Sequence, residues 1–324
     1  MFEKVNPCHS DKVADRIAGA IVDLCYTKCK NPKVACEVLI GHGECTLQIE
    51  TSERLAAEEL EAIVHRIAGE DIVVRALIVP QDVHLADNQK GGVKCGDNGI
   101  FKGCPPTEEQ RVLTHLASEI YKRFPYDGKY IIHGERKQYT TVTGKPIEGK
   151  FHNVYGFTIC QSHMSEKDIM ALIEDLPRTI FPPVTIGNND DPFLSWHYNL
   201  DKCKFNPLGP WTGGPNTDSG ATNRKLGSDM GDGVTGGGLH GKDLSKGDVS
   251  INIVAFLKAV QSGQAVTAIC SIGDEQVTFQ YASGKTETET FADVVEMARL
   301  YILTDCNGSF ETFSEWGLIR PKDV

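Results

Sequence analysis

No part of this 324-residue chain is apolar for long enough to cross a bilayer. The most apolar run, Ile72 to Val79, is broken by Arg75 and falls far short of the ~20 residues a spanning helix requires. Cations are in deficit: 33 Lys+Arg against 44 Asp+Glu leave a formal net charge of −11. That is a poor surface for wrapping nucleic acid or an anionic membrane. The eleven cysteines include no C-x-x-C and no paired spacing. Cys25 and Cys29 come closest, one turn apart in an apolar helical pattern, so reduced thiols packed as small apolar groups are expected rather than disulfides or a zinc site. The opening MFEKVNPCHS lacks a basic-then-apolar signal pattern, and a cytoplasmic protein is the reading that follows.

What is present suits a folded core: hydrophobic residues make up 40% and charged residues 24%. The length allows two domains of about 150 residues or three of about 100. Apolar positions Val13, Ile17, Ile21, Leu24 and Cys25 predict a helix over residues 12–28. Alternating runs Val34–Ile40 and Cys45–Thr51 follow, split by Gly41-His42-Gly43, and then a helix over about 54–69. The order returns with a helix over 107–123, opened by the capping-box pair Thr107 and Gln110. Strand-like runs at 129–143 and 151–160 come next, then a helix from Ser165. A third round has a helix at about 248–262, strands at 265–272 and 276–282, and a helix at 291–303. The expectation is an α+β protein of three α-β-β-α repeats, residues 1–100, 101–216 and 217–324, each needing a partner surface for its sheet. Packing of the repeats on one another, and on a second copy, is expected.

One region departs in composition. Residues 209–247 hold 12 of the 32 glycines together with Arg224, Lys225, Lys242 and Lys246. Glycines let backbone N–H groups approach a ligand, and the cations suit phosphates; a flexible linker with solvated charges is the alternative. Two string matches inside it fail on context. Gly231-x-Gly233-x-x-Gly236 has no strand before it and no helix opening on it, unlike a dinucleotide fingerprint. Gly236 to Lys242 resembles a P-loop, but Asp243 stands where a metal-binding Ser or Thr belongs.

Five constellations carry chemistry. His9-Ser10-Asp11-Lys12 through Asp15 stands at the start of the first helix, where anions are favoured. There an imidazole, a carboxylate and an ammonium can meet a leaving oxyanion, a magnesium ion and a phosphate; ordinary capping by Ser10 or Asp11 with a solvated Lys12 is the plainer reading. Glu37, in Val34-Ala35-Cys36-Glu37, lies in an apolar strand with Glu50 across the hairpin. Gly96-Asp97-Asn98-Gly99 is a turn signature. Gly214-Pro215-x-x-Asp218-x-Gly220-x-x-x-Arg224-Lys225 follows, and then Gly236-Gly237-Gly238 leading to Gly241-Lys242-Asp243-x-x-Lys246-x-Asp248.

In that order and spacing, the five motifs resemble those of the S-adenosylmethionine synthetases, from about Glu3 to Ile272. The resemblance implies three α/β repeats about a pseudo-threefold axis and a homo-oligomer, a dimer or tetramer, with active sites at the dimer interface. It implies attack of methionine sulfur on C5′ of ATP and release of triphosphate, then hydrolysed to diphosphate and phosphate. No base is required for a neutral sulfur, which accords with a site rich in Lys, Arg and Asp; preorganised cations and metal would be its main device. By motif match His9 resembles the histidine at the departing oxygen. Asp11 and Asp248 resemble carboxylates for Mg2+, two ions per site, and Glu37 the K+ ligand. Lys129, Arg224, Lys225 and Lys242 would grip the phosphates, with Asp127 nearer the nucleoside and Trp211 stacking adenine. Glu50, Gln81, Asp97, Asp218, Lys246 and Ile272 match positions for L-methionine, and Asp218 neighbours ATP also. The chain departs from the family's S-E-G-H-P-D-K, reading Asn6-Pro7-Cys8-His9-Ser10-Asp11-Lys12, and is shorter between Lys225 and Lys242. Two other readings share these residues: a related adenosyl transferase or polyphosphate hydrolase with another nucleophile, and a non-catalytic nucleotide-binding regulatory subunit. No nucleic acid and no membrane is expected among the partners.

Overall fold

The computed structural model describes residues 1–82, 84, 92–179 and 197–321. In chain order its elements are β1 (Phe2–Val5), α1 (Ser10–Lys28), β2 (Val34–Gly41), β3 (Glu44–Thr51), α2 (Ala57–Ala68), β4 (Val73–Pro80), β5 (Gly99–Gly103), α3 (Glu108–Arg123), β6 (Gly128–Thr140), β7 (Pro146–Gln161) and α4 (Glu166–Thr179). There follow β8 (His197–Tyr198), β9 (Lys204–Phe205), β10 (Gly220–Ala221), α5 (Leu226–Met230), α6 (Gly247–Ser262), β11 (Val266–Cys270), β12 (Gln276–Tyr281), β13 (Thr286–Thr290), α7 (Phe291–Asp305) and α8 (Phe310–Trp316). Among the described residues no helix is long and apolar enough to cross a membrane. All eleven cysteines are free thiols.

The chain divides into two compact units. The first takes Met1–Asn6 and Thr107–Thr212 with the C-terminal end, the second Pro7–Pro106 and Gly213–Arg320. In the first unit the sheet runs β1-β6-β7-β8, with β9 also paired to β7, and α3 packs on β1 and β6. The predicted capping box is present: Gln110 N–H donates to Thr107 Oγ1 at 3.2 Å and Thr107 N–H to Gln110 Oε1 at 3.0 Å.

The second unit contains two sheets, β10-β2-β3-β4 and β13-β12-β11-β5. The hairpin β2–β3 turns at His42 and Gly43, with φ of 53° and 84°, the primed geometry whose twist matches paired strands. Alternation then buries Val34, Cys36, Val38 and Ile40 opposite Cys45, Leu47 and Ile49, and leaves Glu37, Leu39, Gln48 and Glu50 on the other face. α1 lays Val13, Ile17, Ile21 and Cys25 into a core shared with β2, α6, α7 and α8. Every buried position of its first turn, however, is polar: Ser10, Asp11 and Lys12, with Asp15 one turn on. Such residues are rarely buried unless paired.

Strands cross the sequence thirds. β1 joins β6, β5 joins β11, and β10 joins β2. The mixed α+β class agrees with the pattern read from the sequence, while the three sheets do not coincide with residues 1–100, 101–216 and 217–324. Alternation specifies which face of a strand is apolar, not which segment completes its ladder.

Candidate active site

His9, not Ser10 or Asp11, caps α1: its Nδ1 accepts the Asp11 N–H at 3.1 Å. That bond makes Nδ1 an acceptor, so the neutral ring carries its proton on Nε2. Asp11 is 1% exposed and is met from several sides. Its Oδ1 accepts the Ala221 N–H at 2.9 Å, Arg224 lies 3.5 Å from Oδ1, and Lys225 Nζ lies 3.2 Å from Oδ2. Two cations on one carboxylate at a helix N-terminus leave an excess of positive charge, which suits an anion.

Lys12 is the correction to the sequence reading. Instead of facing a phosphate, or solvent, it is wholly buried, donating to Asp229 at 2.7 Å with Asp15 at 3.1 Å. Burial by itself lowers the pKa of such an ammonium, yet Asp229 and Asp15 outweigh it and the net shift is upward. His240 completes the group, with Nε2 2.9 Å from Asp229 and Nδ1 3.0 Å from Ser314. Asp15, Asp229 and His240 offer ligand atoms within 4.8 Å of one another, but the Lys12 ammonium stands among them. This cluster escaped the sequence reading. The one available signal was Asp15, spaced four residues from Asp11 on the same helix face.

The glycine-dense stretch works by close approach. A Cβ on Gly237 would lie 2.3 Å from Asp248 Oδ1, and one on Gly238 would lie 2.4 Å from the Asn223 carboxamide. In this way the loop admits two side chains into its own backbone. Lys242 Nζ donates to Asp248 Oδ2 at 2.5 Å, and Asp248 occupies the first turn of α6 after Lys246 at the N-cap. Asp243, the residue that spoils the P-loop match, faces away from any phosphate role: its carboxylate accepts from Val34 N–H at 2.9 Å and Ser245 N–H at 2.8 Å.

Glu37 points outward from β2 and accepts from the Thr222 hydroxyl. Glu50 lies opposite Ala35 on β3, and Ala35 bridges to Lys242 through the backbone, so Glu37, Glu50 and Lys242 gather at one sheet face. Asp97 and Ile272 lie on two loops joined where Ile272 N–H donates to Asn98 Oδ1 at 2.8 Å. A Cβ on Gly247 would stand 3.2 Å from Cys95 Sγ, which places the Asp97 loop beside the start of α6. Asp218 is exposed just before β10, and Gln81 follows β4, its N–H on Thr51 O at 3.3 Å.

In the first unit, Lys129 on β6 points at Trp211, with Nζ 5.8 Å from the ring centroid. The indole donates to Asn206 Oδ1 at 3.2 Å. Lys129, Cys160, Asn206, Leu208 and Trp211 line an open cavity of about 250 Å³. Asp127 is buried, at the entry to β6.

The fold and these groups define an α+β protein with acidic side chains paired to lysine and arginine at the N-termini of two helices. The family model of the S-adenosylmethionine synthetase N-terminal domain matches residues 1–73. An S-adenosylmethionine synthase of Helicobacter hepaticus is 27% identical over 99% of this chain and 88% of its own length. That of Parvibaculum lavamentivorans is 29% identical over 76% of this chain and 68% of its own. A solved structure described as an unusual S-adenosylmethionine synthetase from Campylobacter jejuni shares the fold, with a TM-score of 0.59 at 18% identity, covering 96% of this chain and 88% of that one. The chain is thus similar, over nearly its whole length, to S-adenosylmethionine synthetases.

Proposed function

We propose that the protein makes S-adenosylmethionine from ATP and L-methionine, expelling triphosphate and then hydrolysing it. The observation that carries this reading is the pairing of Asp11 with Arg224 and Lys225, together with that of Asp248 with Lys242. Each pair couples an oxygen donor of the kind Mg2+ takes with a cation of the kind a phosphate takes. The donor chemistry fits the metals the resemblance implies: Asp11 and Asp248 would hold Mg2+, and the carboxylate and hydroxyl of Glu37 and Thr222 offer oxygen ligands for K+. When bound, Mg2+ supplies charge neutralisation along the polyphosphate.

The side chains then divide the work. Arg224, Lys225 and Lys242 turn from their carboxylates to the phosphate oxygens and stabilise the charge that grows as the C5′–O bond breaks. His9, its proton on Nε2, donates to the departing oxygen. Lys246, Asp97, Glu50, Gln81, Asp218 and Ile272 are assigned to methionine, the carboxylates taking its ammonium group. In the first unit Trp211 offers a face for adenine, with Lys129 and Asp127 assigned to ATP. A homo-oligomer is part of the reading, because the outer faces of both sheets in the second unit expose Leu39, Leu77, Ile100 and Ile269.

Incubation of the purified chain with ATP, methionine, Mg2+ and K+, followed by mass spectrometry, is expected to yield S-adenosylmethionine with diphosphate and phosphate. Polyphosphate cleavage without a sulfonium product would select the hydrolase reading. Nucleotide binding with no turnover would select the regulatory one.

A further inference from the structure

Arg224 and Lys225 are adjacent in sequence, yet both reach Asp11, at 3.5 and 3.2 Å. They lie in the turn between β10 and α5, where side chains do not alternate as on a strand, and where the pair is aimed depends on how the chain enters that turn. The entry is Asn223, the residue before the pair, with φ of 64°, a left-handed conformation that costs asparagine less than other side chains.

Its surroundings hold that conformation from two directions. The Asn223 N–H donates to Asp15 Oδ1 of α1 at 2.8 Å. Its Oδ1 accepts from Leu239 N–H at 2.9 Å and His240 N–H at 3.0 Å, while Nδ2 donates to His240 O at 3.3 Å. Gly238 leaves the space that the carboxamide fills. The two preceding residues are stitched the same way: Ala221 N–H to Asp11, and Thr222 N–H to Val38 O at 3.1 Å. One carboxamide therefore links the Arg224-Lys225 turn to the stretch that leads, two residues after His240, into Lys242.

We propose that Asn223 is a positioning residue that aims Arg224 and Lys225 and ties their turn to the loop of Lys242, so that all three cations meet one polyphosphate. This rests on the polyphosphate reading of the site and adds to it a residue that touches no phosphate itself. Asn223→Gly keeps the left-handed backbone without the carboxamide, Asn223→Ala disfavours both, and Asn223→Asp retains the acceptor.

The test is calorimetric binding of tripolyphosphate at fixed Mg2+, in the wild-type background and in an Arg224→Ala/Lys225→Ala background, with thermal unfolding followed in parallel. Losing three side-chain hydrogen bonds, Asn223→Gly should weaken tripolyphosphate about tenfold. Asn223→Ala should weaken it further and Asn223→Asp less. In the doubly substituted background Asn223→Gly should change affinity less than about twofold, because the tie serves to align Lys242 with Arg224 and Lys225, and that alignment is lost with the two cations removed. An equal loss in both backgrounds would overturn the positioning role while leaving the polyphosphate site standing. Failure of the wild type to bind tripolyphosphate would overturn both. Should Asn223→Ala not fold, the Gly and Asp variants carry the same comparison.

Discussion

At the scale of single residues, the first turn of α1 departs from the rule that polar groups face water. Ser10, Asp11, Lys12 and Asp15 are all buried, and each charged member is paired, as burial requires. The two lysines nearest Asp11 have opposite fates. Lys12, its sequence neighbour, is spent on Asp15 and Asp229 inside the core, whereas Lys225, far along the chain, reaches the Asp11 carboxylate from a half-buried position. His9 caps α1 with Nδ1, and the proposed reaction would give it a second, separable duty at the leaving oxygen through Nε2. Asparagine is a good N-cap residue, so His9→Asn isolates the second duty. Adenosyl transfer in single turnover is expected to slow by about 10²–10³-fold with tripolyphosphate affinity little changed. An unaltered transfer rate would remove His9 from the reaction.

Among the elements, those with strong periodicity were legible in the sequence. The expected helix over 12–28 is α1, Ser10–Lys28, and the expected capping box opens α3. Less legible were α8 and β13. The first is too short to show a period, and in the second Thr286 to Thr290 alternates Thr with Glu and carries no apolar face. β13 owes its place to pairing with β12 and to charge. Glu287 accepts from Lys285, Lys258 and Tyr281, which hold its carboxyl down to about 2, the Lys285 bond counting most. A lowered folded value means that this group's stabilisation is present above its ordinary 4.5 and lost as pH falls towards 2. The carboxylate is solvent-facing, so the effect is small and screened by salt. In denaturant titrations, the stability gap between wild type and Glu287→Gln should close as pH falls through that window, and should narrow in high salt. A gap independent of pH would assign it to packing instead.

For the molecule as a whole, the outward faces of β2, β4, β5 and β11 expose Leu39 at 57%, Leu77 at 56%, Ile100 at 59% and Ile269 at 61%. Apolar sheet surface of this kind is what the proposed homo-oligomer would cover. Sedimentation should give at least twice the 35.5 kDa chain mass, and Leu77→Lys should shift the protein towards monomer with loss of transfer activity. A monomer of full activity would place the whole reaction within one chain.

The amino-acid sequence alone determined the helices and hairpins that repeat every few residues, the caps that open them, and the stock of carboxylates and cations from which a polyphosphate site can be built. Those properties depend on neighbours within a turn or a strand. Which lysine is buried and which meets Asp11, which strand completes which sheet, and the turn at Asn223 were settled only in the folded chain. Lys12 and Asp229 are 217 residues apart, and the desolvation and pairing that decide their state exist only once that separation has closed.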